Sequence, residues 1–362
     1  MFLGSVAAHR YIAAQQGFSG FNPPALMNGS TNNGYMHAVA VNLSDLFVAV
    51  GHTGTGLPLF ATSTNGSNWT TPAVMNGTIN TTQMFDVTVN SSGLFVSVGA
   101  IYLGGVIYQG KTAYSSNGTT WSTPAFFNGS TTNFAPAAIA VNSSGLFVTV
   151  GSDGSSNIPK YSVSTNGTTW TSPAAMFASD MFVSSVTVNS AGLFVAVGYN
   201  QVDEAARFAT STNGTTWTLP AKMNGSNLVF GPKAVTVNSS GLFVAVGGSD
   251  NPANSSLFAT STNGTTWTTP ALMNGSSIDT IMYSVTSNSD GLFVAVGWND
   301  SSDPMFAYST NGTNWTTPTQ MGGSTTNTQM SGVAVNSLGL YSSVGAFTFG
   351  GSNYQAAFAA SF

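Results

Sequence analysis

The sequence predicts an all-β protein: a seven-bladed β-propeller of four-stranded antiparallel blades, its last blade closed by strands from both chain ends. Three observations carry this. A box of the form Ser-Thr-Asn-Gly-Thr-Thr-Trp, with small variations, occurs six times, at residues 63–69, 115–121, 164–170, 211–217, 261–267 and 309–315. A second unit, commonest as Gly-Leu-Phe-Val-Ala-Val-Gly, occurs seven times and ends at Gly51, Gly99, Gly151, Gly198, Gly247, Gly297 and Gly345. Both recur about every 50 residues, the period of a ring or stack of small β-sheets.

One repeat shows the elements in order. Residues 234–238, Ala-Val-Thr-Val-Asn, form a short β-branched run, strand A. Ser239-Ser240-Gly241 is a turn, and residues 242–247 are strand B. A loop of variable length follows, then strand C at 257–261. Asn263-Gly264 is a strong hairpin signal, because both residues tolerate positive φ. Residues 265–270 are strand D, whose Pro270 suits an outer edge where a missing N–H is tolerated. Strand B is apolar almost throughout instead of alternating, which demands burial on both faces. A blade sandwiched between two neighbours meets that demand. Phe47, Phe95, Phe147, Phe194, Phe243, Phe293 and Tyr341 then fill equivalent places between blades, and the box tryptophans pack nearer the rim.

The count of units predicts closure. Seven A–B pairs accompany six complete C–D units. The C-terminal Ala357-Phe358-Ala359-Ala360-Ser361 matches strand C and then stops. Near the N-terminus, the run from Phe21 to Ser30 matches the run from Trp267 to Ser276. It is expected to supply the missing strand D, so that residues 18–362 form one ring and no sheet edge stays open. Residues 1–17 exceed what closure needs and are expected to be an N-terminal arm or a degenerate strand that reaches a partner. An open β-solenoid is the alternative architecture.

Composition restricts the function. Only 5% of residues are charged, against about 25% in ordinary globular chains. Six Lys and Arg are scattered without a patch, which argues against nucleic acid as a partner. No run approaches the roughly 18 apolar residues of a membrane span. There is no cysteine. The first ten residues lack the basic start and long apolar stretch of a secretory signal. Exit from the cell then needs a signal already removed, or another route such as a virus particle.

The box resembles the Asp-box repeat of sialidase-like propellers, Ser-x-Asp-x-Gly-x-Thr-Trp, with Asn65, Asn117, Asn166, Asn213, Asn263 and Asn311 in the Asp place. The resemblance covers nearly the whole chain and implies a fold. In that family the box is a structural turn away from any active site. Sialidase activity is disfavoured: the resemblance implies three arginines and a Tyr–Glu pair, whereas this chain has only Arg10 and Arg207 and a single glutamate, Glu204.

Topology separates two faces. The A–B and C–D turns share one face and are nearly uniform. The B–C loops share the other and differ in length and content; they are expected to hold Lys111, Asp153, Lys160, Asp203, Glu204, Arg207, Asp250, Asp300 and Asp303. Function on a rigid scaffold concentrates in such loops. The positions just after the strand B glycines include Tyr199 and Trp298, which suit stacking on a sugar ring or anchoring a partner. The residues entering strand A are His37, Phe85, Ala137, Ser184, Lys233, Tyr283 and Ser331, and these are expected to ring the mouth of the central channel. His37, Phe85, Lys233 and Tyr283 are therefore the first candidates for a ligand site, with Tyr199 and Trp298 beside them.

No catalytic residue, metal site or cofactor is expected. The Asp300–Asp303 and Asp153–Ser156 loops offer oxygen ligands of a kind calcium takes, but such loops are usually plain turns. The Asn-x-Ser/Thr sites at Asn28, Asn76, Asn128, Asn224 and Asn274 are read as turn residues. The functional expectation is a non-enzymatic structural or adhesion propeller, displayed on a virus particle or another extracellular surface. Its expected partners are other copies or structural proteins of that assembly, and glycans. A secreted carbohydrate-active enzyme of the Asp-box glycosidase type and a multivalent lectin are the alternatives.

Overall fold

A computed structural model describes residues 18–28, 33–76, 81–103, 108–154, 157–178, 181–224, 229–249, 255–275, 279–324, 327–348 and 354–362. The expected N-terminal arm lies outside these residues, as does Asp250. Seven four-stranded antiparallel sheets form the ring of a β-propeller. The inner strands A are Gly34–Val41, Gln83–Val89, Ala135–Val141, Phe182–Val188, Gly231–Val237, Thr280–Ser287 and Thr328–Val335. Strands B are Phe47–Thr53, Phe95–Tyr102, Phe147–Ser152, Phe194–Asn200, Phe243–Ser249, Phe293–Asn299 and Tyr341–Thr348. Strands C are Pro58–Ser63, Tyr108–Ser115, Pro159–Ser164, Ala205–Ser211, Ser255–Ser261, Pro304–Ser309 and Tyr354–Ala360. Among the described residues, no helix is long and apolar enough to cross a membrane.

Closure follows the expected route. Ala25–Leu26 is strand D of blade 7 and pairs with Phe358 and Ala357 of its strand C. Phe21 bridges to Ser361. It occupies the place that a box tryptophan holds elsewhere, with its ring edge-on to Phe306 of blade 6 at 5.5 Å. In the same way Trp121 meets Phe60, Trp267 meets Phe208 and Trp315 meets Phe258, each on the strand C of the preceding blade. The six strand B phenylalanines are fully buried, and Tyr341 nearly so. Each contributes about 2–3 kcal/mol by area.

Two expectations about strand limits need correction. The strand D ladder covers only two residues per blade, as at Ala271–Leu272 after the proline, and before it a single backbone bond, Thr268 N to Thr260 O at 2.9 Å, reaches strand C. The preceding box segment turns its indole inward, and Trp267 Nε1 donates to Gly264 O at 3.2 Å. Pro270 then has no N–H to give, so pairing resumes beyond it. Strands B and C, conversely, run further than expected. Lys111, Lys160 and Arg207 consequently lie in strands, and Lys111 is buried over the Phe126 ring.

The turn between strands C and D is also not a two-residue hairpin. Only its glycine takes positive φ, for example 76° at Gly264. The asparagine acts as a cap: Asn263 Oδ1 accepts the N–H groups of Thr265 and Thr266 at 2.9 and 2.8 Å and the Ser261 hydroxyl at 3.1 Å. The A–B turns use a second asparagine in a similar way. Asn42 Oδ1 accepts from Ser44 N and Leu46 N, each at 3.0 Å. Asn128 and Asn274 have φ of 47° and hydrogen-bond Ser172 and Thr317, in keeping with their reading as turn residues.

Candidate ligand-binding face

Every strand A carries a β-bulge at one position. The register against strand B shifts between Met36 and Ala38, Met84 and Asp86, Pro136 and Ala138, Val183 and Ser185, Pro232 and Ala234, Met282 and Ser284, and Met330 and Gly332. The extra residues are His37, Phe85, Ala137, Ser184, Lys233, Tyr283 and Ser331, the seven positions expected at the channel mouth. All seven line one central cavity of about 230 Å³. The bulge also explains the repeated strand B glycine. A Cβ on Gly51 would lie 1.8 Å from Tyr35 O, and one on Gly198 would lie 2.0 Å from Phe182 O. The glycine lets the bulged strand approach, and a bulge re-aims the extra side chain.

The residue after each bulge staples alternate blades. Asp86 Oδ2 accepts Ile139 N of the next blade at 2.8 Å. Ser185 and Ser284 hydroxyls accept Val235 N and Val333 N in the equivalent way at 3.2 Å. The other four blades have Ala38, Ala138, Ala234 and Gly332 there. Asp86 is thus the one charged member of its ring, a signal available in the sequence but overlooked. Burial pushes its carboxyl up to about 7, against the pull of the Ile139 and Val87 N–H bonds.

The blade 1 sector is aromatic. Tyr35 donates to or accepts from Ser331 Oγ at 2.6 Å, and burial pushes its phenol up to about 12 despite that bond. His37 lies against the Tyr35 ring at 4.6 Å, and its Nε2 is 3.4 Å from His52 Nε2. Burial, with the neighbouring His52 adding to it, lowers His37 to about 3; burial lowers His52 to about 4. Both are neutral imidazoles at physiological pH.

Blades 4 to 6 carry the other candidates. Tyr283 and Trp298 stack face to face at 3.6 Å and 3°, with Lys233 Nζ 6.0 Å from the Tyr283 centroid. Trp298 therefore joins the site through Tyr283. Lys233 also lines a second pocket of about 320 Å³ between blades 4 and 5, with Tyr199, Gln201, Glu204, Phe230 and Ile281 among its walls. Tyr199 is supported by Phe182 at 5.8 Å and by Gln201 Nε2, which donates to its hydroxyl at 3.4 Å. Glu204 has φ of 51°, a conformation non-glycine residues seldom adopt. The loop is tied by Asp203, which pairs with Arg207 at 2.5 Å and Lys222 at 2.8 Å.

The acidic loops considered for calcium are used internally. Asp303 Oδ2 accepts from Asn299 and Gln320 amides, each at 3.1 Å, and Asp153 pairs with Lys160 at 3.8 Å. Among the described residues no group of three or more His, Asp or Glu is placed to hold a metal ion.

No family model matches the sequence, and no curated protein matches it. Solved structures do. The BP39L lectin from Burkholderia pseudomallei aligns over 88% of this chain and 97% of its own, with a TM-score of 0.61 and 16% identity. YCF48 from Cyanidioschyzon merolae aligns over 93% and 98%, with a TM-score of 0.58 and 12% identity. The NanB sialidase from Streptococcus pneumoniae aligns over 94% and 70%, with a TM-score of 0.54 and 11% identity. The resemblance to sialidase-like Asp-box propellers therefore holds at the level of fold.

Proposed function

We propose that this chain is a non-enzymatic binding propeller that attaches to a glycan or a protein partner through its variable face. The observation behind this reading is the asymmetry of the disc. One face repeats the same Asn-capped turns blade after blade, whereas the other gathers dissimilar aromatic and charged side chains around two adjoining cavities. The pocket between blades 4 and 5 has the size and mixed lining of a sugar site: an aromatic wall in Tyr199 and polar groups in Gln201, Glu204 and Lys233. The lectin among the solved neighbours is in keeping with such a role. Display on a virus particle or another extracellular surface fits the uncharged Ser/Thr/Asn/Gly coat, as does assembly with further copies or structural proteins.

The residues argue for one site over several equivalent ones, because the position of Tyr199 is held in other blades by His52, Ala100, Ser152, Gly248, Trp298 and Ala346. A panel of immobilised mono- and oligosaccharides tests the reading. The full chain is expected to retain a subset, and Tyr199→Ala and Lys233→Ala each to weaken retention at least about tenfold, the equivalent of 1.4 kcal/mol. Retention unchanged in both variants, or no retention of any sugar, would count against a glycan at this pocket. A carbohydrate-active enzyme is the second reading, favoured by Asp86 with its raised carboxyl and Glu204 in the neighbouring pocket. Hydrolysis of a fluorogenic glycoside that Asp86→Asn and Glu204→Gln abolish would establish it in place of the first.

A further inference from the structure

We propose that His37 and His52 form a two-imidazole site for a divalent transition-metal ion, with Cu²⁺ preferred over Ni²⁺ and Zn²⁺. The two Nε2 atoms face one another at 3.4 Å, with the rings inclined at 73°. That separation is long for a hydrogen bond, whose nitrogen–acceptor distance is usually about 2.7–3.2 Å. Two imidazole nitrogens about 2.0–2.1 Å from one ion stand roughly 2.8–2.9 Å apart as square-planar neighbours and 3.3–3.4 Å apart in a tetrahedron, so the pair is already set for a tetrahedral ion and a half-ångström approach of the rings serves a tetragonal one.

The fold pre-positions both ligands. His37 is the bulged residue of its strand, so its side chain is turned toward the channel. Its ring is flanked by Tyr35, tied to Ser331, and by Phe85 edge-on at 5.8 Å. His52 sits directly across the ladder from Tyr35. Rotamers held by packing lower the cost of ordering a ligand set.

The donor set decides the metal class. Two imidazoles suit Cu²⁺, Ni²⁺ and Zn²⁺, whereas calcium and magnesium require oxygen ligands. Among divalent ions of the first row, Cu²⁺ binds nitrogen sites most strongly. Water completes the coordination, since His37 lines the central cavity. His52 Nδ1 is buried without a hydrogen-bond partner, so the second-shell acceptor that strengthens many metal sites is missing on that side. Affinity then rests on the two imidazoles and is moderate.

The test is calorimetric titration of the full chain with the chloride salts of the three metals in a non-chelating buffer. One-to-one binding is expected, strongest for Cu²⁺, and weakened at least about tenfold in His37→Ala and in His52→Ala. His9→Ala, in the third histidine, is expected to bind as the parent does. Electron paramagnetic resonance of the Cu²⁺-loaded parent protein gives a readout independent of how the variants fold, with hyperfine coupling to two equivalent nitrogens expected. No saturable binding, coupling to fewer than two nitrogens, or binding that His9→Ala removes would each overturn the site.

Discussion

At the scale of single residues, Asp86 shows how one substitution in a repeat alters the physics of a ring. Seven equivalent positions face the channel, and three of them bond the next blade. Two do so with a neutral serine hydroxyl. Asp86 does so with a carboxylate whose charge burial disfavours, so its folded pKa of about 7 stands above the ordinary value of 3.8. The folded state therefore holds this proton more tightly than the unfolded state does. Its stabilising effect is complete below about pH 4 and is lost as pH rises through 7, after which stability levels off. Asp86→Ser keeps the bond to Ile139 without the charge. Because Asp86 is half-buried beside a cavity that admits water, the gain is discounted to about 1–2 kcal/mol at pH 8, and to little at pH 4. Urea unfolding of both proteins across that range checks it. A parent protein as stable at pH 8 as at pH 5, or a variant with the same pH slope as the parent, would refute this account of the channel.

At the scale of the strand, the repeated glycine and the bulge are one device. Gly198 stands where strand A bulges, and a methyl group there meets the Phe182 carbonyl at 2.0 Å. Gly192, in the A–B turn six residues earlier, has φ of 82° but nothing within 4 Å of an added Cβ. Gly192→Ala should then cost about 1 kcal/mol, the price of a left-handed alanine. Gly198→Ala should cost more than about 4 kcal/mol, because backbone, not a side-chain tip, must move. Thermal melts of the pair separate the two causes. The same contrast explains what was legible beforehand. The seven glycines, the apolar strand B and the closing match of Phe21 with Trp267 are local patterns, and they gave the blade, its count and its seam. The channel-mouth positions were also found, since their offset from the strand A valine is constant. The bulge itself was hidden, because periodicity cannot register one extra residue that breaks the alternation. Strand D was misplaced because Thr-Thr-Trp-Thr-Thr reads as β-branched strand, while the segment makes one backbone bond to strand C, Thr268 N to Thr260 O at 2.9 Å, and returns the Thr260 N–H through its Thr268 side chain at 2.9 Å instead of a second carbonyl. The second pocket was missed for another reason: its walls Tyr199, Phe230 and Ile281 come from three stretches that only the ring brings together.

At the scale of the whole molecule, stability rests on seven similar interfaces between blades, and the ring is closed by one non-covalent seam inside blade 7, between its strands C and D. Elsewhere a blade that loosens remains tethered through its own D–A connection. Blade 7 instead depends on two paired residues, Ala25 and Leu26, and on the Phe21 ring that fills the tryptophan place against Phe306, Phe18 and the buried Tyr341 cluster. Phe21→Ala leaves a cavity there and should cost about 3–4 kcal/mol, as aromatic truncations in cores do. A box tryptophan such as Trp267→Ala removes a comparable volume from an interface inside the continuous chain. The two variants should nonetheless differ in cooperativity. Opening the seam turns a ring into an array with free ends, whose blades melt with less mutual dependence. Calorimetry of Phe21→Ala should show a van't Hoff enthalpy well below the calorimetric one, whereas Trp267→Ala should lower the melting temperature with the two enthalpies closer together. Equal loss of cooperativity in both variants would mean that the covalent path between blades adds nothing, and that all seven interfaces hold the ring on the same terms.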